Sequence, residues 1–273
     1  MPGLESVGVA MGKGSVTATP VLIDIDSSNL DESPCCGIKD PSHPGLVGKR
    51  CWLKTQFKLG LKAKSLVGPD GKPGCYIEYL PGEFAWRGVS AAGYMFIHCL
   101  WNHLKKHQHK GWASAMIEAC LSDAEAAGMN GVAVMTRDGP FLASRSVFLA
   151  NGFKLADTAP PDYQLLVRKF KAGAADPRFK GGYERKAARF NRGLTIIRSA
   201  QCPYIAKFAA EIVQAAEEEY HTKPKIVDLE SCRDAQDAPT PYAVFAVVYK
   251  GRILADHQIS RTRFCNIMDE VLR

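Results

Sequence analysis

The chain has 273 residues and a mass of 29.8 kDa, a length typical of about two domains. Hydrophobic residues make up 46% and charged residues 23%, which excludes an intrinsically disordered protein. No apolar run approaches the roughly 20 residues that a membrane-spanning helix needs, and the first twenty residues do not resemble a secretory signal peptide. Nine scattered cysteines are typical of a reduced protein, so we expect a cytoplasmic location.

The net charge of +7 is concentrated in one segment. Residues 168–192 hold nine basic and two acidic side chains, so this window alone carries the whole excess. Such a segment suits a solvated connector, an anion-binding strap or a contact with RNA. Few aromatic side chains interleave with the charges, which does not favour nucleic acid as a partner. We predict a basic linker over residues 171–193.

The hydrophobic patterns before this linker predict an α/β domain over residues 15–170. A short strand, a helix and a hairpin come first, at residues 21–26, 46–59, 61–67 and 74–80. A buried strand, a helix, a second buried strand, a shorter helix and a last strand follow, at residues 93–102, 111–127, 131–136, 141–150 and 163–167.

A second pattern starts after the linker and predicts a smaller α/β domain over residues 194–273. Its strands are predicted at residues 194–198, 226–229, 242–249 and 253–259, and its helices at residues 202–220 and 264–272. The fold class of the whole chain is therefore α/β.

The most informative segment joins the buried strand at residues 93–102 to the helix at 111–127. Gly111 opens this helix, whose first N–H groups have no intrahelical partner and whose dipole adds positive charge. Such a junction suits a phosphate group. The chain has neither a P-loop nor a Rossmann glycine pattern. It has the string Q-x-x-G-x-A, from Gln108 to Ala113. The alternative interpretation is a glycine required only for packing.

This string resembles the pyrophosphate motif [QR]-x-x-G-x-[GA] of the GNAT acetyltransferases. The later string FLANGF, from Phe148 to Phe153, resembles the helix end of the same family. The strings IEYLPGEFAWR and IHCLW are most similar to YoaP-like acetyltransferases. The resemblance implies a mixed sheet with helices on both faces, acetyl-CoA as co-substrate and no metal. It also implies a strand that splays from its neighbour, and contacts with acetyl-CoA by Leu100, Trp101, Asn102, Gln108, His109, Lys110, Gly111, Trp112, Ala113, Ser114, Phe148 and Asn151.

Acetyl transfer from a thioester needs a base for the incoming amine and an acid for the leaving thiolate. Glu78, Glu83, His98 and nearby thiols are candidates for the base, of which we select Glu83 and His98. A core position for His98 and a solvated loop position for Glu83 are the alternatives. Many GNAT members carry a tyrosine acid where this chain has Phe148, so that role does not carry over.

The second domain resembles a thioredoxin-like fold, because Cys202 stands at the start of a predicted helix. A helix N-terminus would lower the pKa of this thiol, which makes Cys202 a candidate reactive residue. Pro241 matches the cis-proline of such domains. Ile205 stands where a C-x-x-C pair needs its second thiol, so a dithiol cycle by this motif is excluded. A one-thiol reaction, a thiol-binding role and an inert scaffold remain open.

These patterns predict an acetyl-CoA-dependent N-acetyltransferase of a small amine or thiol-bearing substrate. The alternative is a non-catalytic CoA-binding protein that serves as a platform for a partner or ligand. A metal site at His103, His107 and His109 is a weaker hypothesis, because a fourth ligand is missing nearby. Neither a membrane nor a nucleic acid is expected as partner.

Overall fold

The computed structural model describes residues 20–33, 36, 38, 40–102 and 111–273. Its strands are β1 (Val21–Ile25), β2 (Lys62–Val67), β3 (Pro73–Pro81), β4 (Val89–Ser90), β5 (Met95–Asn102), β6 (Gly131–Thr136), β7 (Lys154–Ala159), β8 (Tyr163–Lys169), β9 (Arg178–Phe179), β10 (Leu194–Arg198), β11 (Lys225–Asp228), β12 (Phe245–Tyr249) and β13 (Arg252–Ala255). Its helices are α1 (Pro44–Phe57), α2 (Trp112–Ala126), α3 (Arg145–Ala150), α4 (Tyr183–Ala187), α5 (Tyr204–Tyr220), α6 (Cys232–Gln236) and α7 (Arg261–Leu272).

The first unit is built on a seven-stranded sheet in the order β1-β2-β3-β5-β6-β8-β7. Only β5 and β6 are parallel, so the sheet is mixed. Alternate residues of β3 point to opposite faces, with Tyr76 and Leu80 in one core and Ile77 and Tyr79 in the other. Helix α2 packs on the second of these faces and α1 on the first. The predicted mixed sheet with helices on both faces is confirmed.

The second unit is a four-stranded sheet in the order β11-β10-β12-β13. Strands β10 and β11 are parallel, and the other two pairs are antiparallel. Among the described residues the single cis peptide bond precedes Pro161, so the cis bond implied at Pro241 is absent. The thioredoxin-like label for this unit stays a prediction.

The two units share one hydrophobic core on the first face of the large sheet. Leu46 and Leu53 of α1 belong to the same buried cluster as Ile205 and Ile212 of α5 and Phe264 of α7. Backbone bonds also cross between the units, since the Gly88 N–H donates to the Pro241 carbonyl at 3.0 Å. The second unit therefore completes the core of the first.

The basic segment of residues 171–193 is largely exposed, but a few of its residues are anchored to the rest of the structure. Strand β9 pairs with β4, and α4 buries Tyr183. Lys186 is also buried, and its Nζ donates to the Gln236 carbonyl at 3.3 Å. Lysine covers apolar surface with its methylene stem while the ammonium finds a polar partner, which explains how a charged segment packs.

The structure shows two further general features. Within the described ranges no helix has the length and hydropathy needed to cross a membrane. The eight cysteines that can be described are all free thiols.

The shared core predicts how the chain responds to limited proteolysis. Trypsin should cut after Lys171, which lies at the start of an exposed turn. We expect the two fragments to elute together in gel filtration, because separating them would expose the core that α1 and α5 bury between them. Fragments that separate without denaturant would contradict the shared core.

Candidate active site

A cleft opens where β5 and β6 separate. The two strands pair in parallel from Met95↔Val132 to Ile97↔Val134, and this pairing stops although both strands continue. A cavity of about 20 Å³ lies at this point. It is lined on the β5 side by Ile97, His98, Cys99 and Leu100, and on the other side by Val134, Met135, Phe141, Leu142, Ala143 and Phe148. The splayed strand that the sequence analysis predicted is therefore present.

A β-bulge on the other edge of β5 accompanies the separation. Cys99 faces Glu78 on β3, but the next partner of β3, Tyr79, faces Ile97. His98 is thus the extra residue of the bulge. A bulge bends its strand and increases the local twist, which turns β5 away from β6. Two consecutive side chains, His98 and Cys99, contact the core on the first face of the sheet, whereas Leu100 packs on the second.

The N-terminus of α2 is the position at which the sequence predicts a phosphate site. Gly111 caps the helix with φ +76°, and a Cβ built on it would meet no atom of the described residues within 4 Å, so these residues leave the space above this glycine open. Trp112 lies against Gly74 of β3, where a Cβ would come within 1.8 Å of the indole ring. These two glycines fix the start of the helix. Gln108, His109 and Lys110 lie outside the described residues.

Two other predicted contacts lie beside this helix start. The Asn151 amide at the end of α3 donates to Ser114 Oγ at 3.0 Å, which ties α3 to the first turn of α2. Phe148 is buried against Phe153 and lines the cleft. Ala113 is half-buried in the same turn. Leu100, Trp101 and Asn102 form the last part of β5, beyond the point where β6 diverges.

His98 is held in one protonation state, and this argues against its predicted role as a base. The Trp86 backbone N–H donates to His98 Nε2 at 2.9 Å, which assigns the ring proton to Nδ1. Burial, with smaller effects of Arg87 and Lys49, lowers the His98 pKa well below its usual range. The imidazole is therefore neutral, and its one lone pair is already engaged.

Glu83 is not at the cleft. It lies in the 3₁₀ turn of Gly82–Phe84 that follows β3, and its side chain is exposed. The end of β3 at Pro81 pairs with Met95, whereas the cleft opens beyond Ile97. The structure thus places Glu83 in the solvated-loop position of the alternative interpretation, which argues against its predicted role as the base.

A buried polar network stands behind the cleft, and only Glu78 of its members was a sequence candidate. Glu78 faces Cys99 and accepts bonds from Lys49 Nζ (2.7 Å) and Tyr76 Oη (2.7 Å) through Oε2. Gln201 Nε2 of the second unit donates to its Oε1 at 2.7 Å. The network holds the Glu78 carboxylate in place between the two units.

Arg87 adds a second buried cation to this network. Its guanidinium donates to the carbonyls of Trp86 and His98 and to Gln201 Oε1, at 2.9–3.4 Å. It also stacks over the Tyr242 ring at 4.8 Å. No carboxylate of the described residues lies within ion-pair distance of it. With Lys49 and Glu78, the network therefore carries a net positive charge inside the protein.

Cys202 lies between the units, but its environment does not stabilise a thiolate. It precedes α5, whose N-cap is Pro203, and lines a second cavity of about 190 Å³ together with Pro44, Gly45 and Gly48 of α1. Removal from water raises the pKa of the thiol to about 11, against the smaller opposing effect of the Tyr204 N–H. The expectation of a lowered pKa is therefore wrong, because desolvation outweighs the helix N-terminus.

Three comparisons relate the chain to known proteins. Residues 225–266 match the YoaP-like family. The chain is 28% identical over 251 residues to a Bacillus subtilis (strain 168) protein named Uncharacterized N-acetyltransferase YoaP, covering 90% of this chain and 98% of that one.

The chain is a relative of the YoaP N-acetyltransferase. The predicted resemblance to YoaP-like acetyltransferases is thus confirmed, and the relative's name supports the predicted class of enzyme, an acyltransferase.

Solved structures also align with the chain. The GNAT N-acetyltransferase YhbS of Escherichia coli with CoA is 10% identical, with a TM-score of 0.42 over 62% of this chain and 93% of that one. The PaiA N-acetyltransferase of Thermoplasma acidophilum with coenzyme A is 16% identical, with a TM-score of 0.35 over 46% and 67%. Likeness at this level assigns no role to any residue. In the described part of the chain, no three His, Cys, Asp or Glu side chains converge as metal ligands.

The network predicts a large loss of stability when Lys49 is replaced. Lys49→Met leaves the buried Glu78 carboxylate without its cation, and we expect the free energy of unfolding to fall by about 3–5 kcal/mol. Lys54→Met is the matched control on the same helix, because the exposed Lys54–Asp31 pair contributes at most about 1 kcal/mol. Urea denaturation measures both, and equal losses would contradict the account.

The raised pKa of Cys202 predicts its reactivity. Alkylation of Cys202 should stay slow at neutral pH and accelerate as the pH approaches about 11, because only the thiolate reacts. Exposed Cys51 of α1 is the internal reference. Peptide mass spectrometry of iodoacetamide-treated protein gives both rates. Faster labelling of Cys202 than of Cys51 at pH 7 would show that the thiol is activated after all.

Proposed function

We propose that acetyl-CoA binds with its pyrophosphate at the N-terminus of α2 and its thioester in the cleft between β5 and β6, and that the acetyl group passes to a small acceptor. The observation that carries this proposal is the separation of the two strands after Ile97 and Val134, beside a helix start with open space at Gly111. Strand-edge groups at His98–Leu100 suit the amides of pantetheine, and helix N–H groups suit a phosphate.

The lining of the cleft restricts the acceptor. Its described side chains include no carboxylate, and the only imidazole, His98, has its lone pair engaged. Phe148, which also lines the cleft, supplies no proton. Water must then accept the proton of the acceptor and protonate the leaving thiolate. A suitable acceptor is therefore one whose nucleophile is already unprotonated near neutral pH. We propose an amine of lowered pKa or a thiol-bearing amine as the substrate class.

The second candidate is a non-catalytic CoA-binding protein, which the same observations favour. A lining without an acid or a base would hold CoA without accelerating transfer. Release of free thiol from acetyl-CoA in the presence of pooled amines and aminothiols distinguishes the two candidates. Turnover above the rate of spontaneous aminolysis supports the enzyme, and tight binding without turnover supports the platform.

Replacement of Gly111 tests where the phosphates bind. Gly111→Val adds a Cβ to the open side of the helix start at φ +76°, and we expect acetyl-CoA binding to weaken at least about tenfold. Gly128→Val is the matched control at the other end of α2, with φ +67° and equally open surroundings. Calorimetry should show a loss of affinity in the first variant alone. Equal affinities in the two variants would remove the phosphate site from α2.

A further inference from the structure

Two buried donors have no partner among the residues that the structure describes, one on His98, which lines the cleft, and one on Trp52, which stacks against His98. His98 Nδ1 and Trp52 Nε1 are both inaccessible to solvent. The residues are 4% and 6% exposed, and their rings stack at 6.1 Å with an interplanar angle of 25°. A buried N–H without an acceptor costs about 1–3 kcal/mol, so two adjacent ones are an uncommon arrangement.

The orientation of His98 is fixed from the other side of its ring. The Trp86 backbone N–H holds Nε2, so Nδ1 must carry the proton and can only donate. Phe96 meets the same imidazole edge to face at 5.6 Å. The lowered pKa of His98 keeps its ring neutral, so Nδ1 remains a hydrogen-bond donor over the whole physiological pH range. The unpaired donor is therefore preorganised.

The surroundings of this donor suit a developing negative charge. Arg87 donates to the His98 carbonyl, and the charges of Lys49 and Arg87 exceed the single charge of Glu78. Nearby free space, about 20 Å³ lined by His98 and Cys99, is room for roughly one oxygen atom. A thioester carbonyl is neutral before attack and becomes an oxyanion on attack, so surroundings of net positive charge stabilise the oxyanion more than the starting thioester.

We propose that His98 Nδ1–H and Trp52 Nε1–H form a two-donor site for the carbonyl oxygen of the acetyl thioester. This inference rests on the proposed function, because the thioester must lie in the cleft. During transfer, the nucleophile adds to the carbonyl carbon, the carbonyl electron pair moves to the oxygen, and the two N–H groups bind the oxyanion. When the pair returns, the C–S bond breaks and CoA leaves as the thiolate. The proton that the attacking group loses passes to water, and the thiolate takes a proton from water.

The donors can be tested without knowing the acceptor. Acetyl-CoA and S-ethyl-CoA, a thioether without the carbonyl, share every other group. The unmodified full-length chain should bind acetyl-CoA about three- to tenfold more tightly, which corresponds to one net hydrogen bond. Trp52→Phe removes one N–H and keeps the ring, so it should reduce this preference and leave the affinity for S-ethyl-CoA unchanged.

Two variants of similar shape at position 98 isolate the second donor. His98→Asn and His98→Leu both lose the acceptor for the Trp86 N–H, but only asparagine keeps an N–H near the position of Nδ1. The preference for acetyl-CoA should survive in the asparagine variant and disappear in the leucine variant. Affinity for S-ethyl-CoA reports whether each variant is folded.

The outcomes separate this inference from the proposed function. If neither ligand binds the unmodified chain, the proposed function fails. If both bind with equal affinity, or the preference survives in both Trp52→Phe and His98→Leu, the acetyl-CoA site stands and the two-donor site is wrong. Loss of the preference in these two variants supports the two-donor site.

Discussion

The buried carboxylate of Glu78 joins the three parts of the molecule that form the site. It projects from β3, takes its counter-charge from Lys49 of α1 and accepts a bond from Gln201 of the second unit. A buried carboxylate is tolerated only when it is paired and its oxygens are satisfied, so neither helix α1 nor the second unit can move away without a large penalty. Because Glu78 faces Cys99, the same contacts hold the part of β5 where the cleft opens.

The second unit consequently packs behind residues that line or flank the cleft. The Arg87 guanidinium donates to Gln201 Oε1 and stacks over the Tyr242 ring. Phe208 of α5 packs edge to face on Phe141, which lines the cleft. Arg137 at the end of β6 bonds to Asp256 at 3.3 Å. A high pKa at Cys202 fits this structural role better than thiol redox chemistry. The YoaP-like match at residues 225–266 thus falls in a unit that supports the proposed acetyl site.

Much of the fold was predictable because its central elements have strong hydrophobic periodicity. The buried strands at β5 and β6 and the helices α2 and α5 were predicted nearly within their limits. Strand β7 was missed because KLADTA is an exposed edge strand with little apolar character. The short elements of the basic segment were missed because their burial depends on tertiary contacts such as the bond from Lys180 N–H to the Gly88 carbonyl.

The site was less predictable, because the state of most of its residues depends on contacts that form only when the chain folds. Gly111 and Asn151 belong to a local motif and could be placed from sequence. His98 could be named, but its tautomer depends on Trp86, and the exposure of Glu83 depends on where β3 ends. Lys49 carried one signal, since it shares the apolar face of α1 with Leu46 and Leu53. Arg87 and Gln201 are 114 residues apart and meet only through folding.

A crystal structure of the full chain with CoA tests the central claim most directly. The account predicts pantetheine between β5 and β6 beside Leu100, with the pyrophosphate over Gly111 at the start of α2. It also predicts that the Glu78–Gln201 contact between the units persists. CoA bound elsewhere, for instance in the cavity beside Cys202, with the cleft between β5 and β6 empty, would contradict the account.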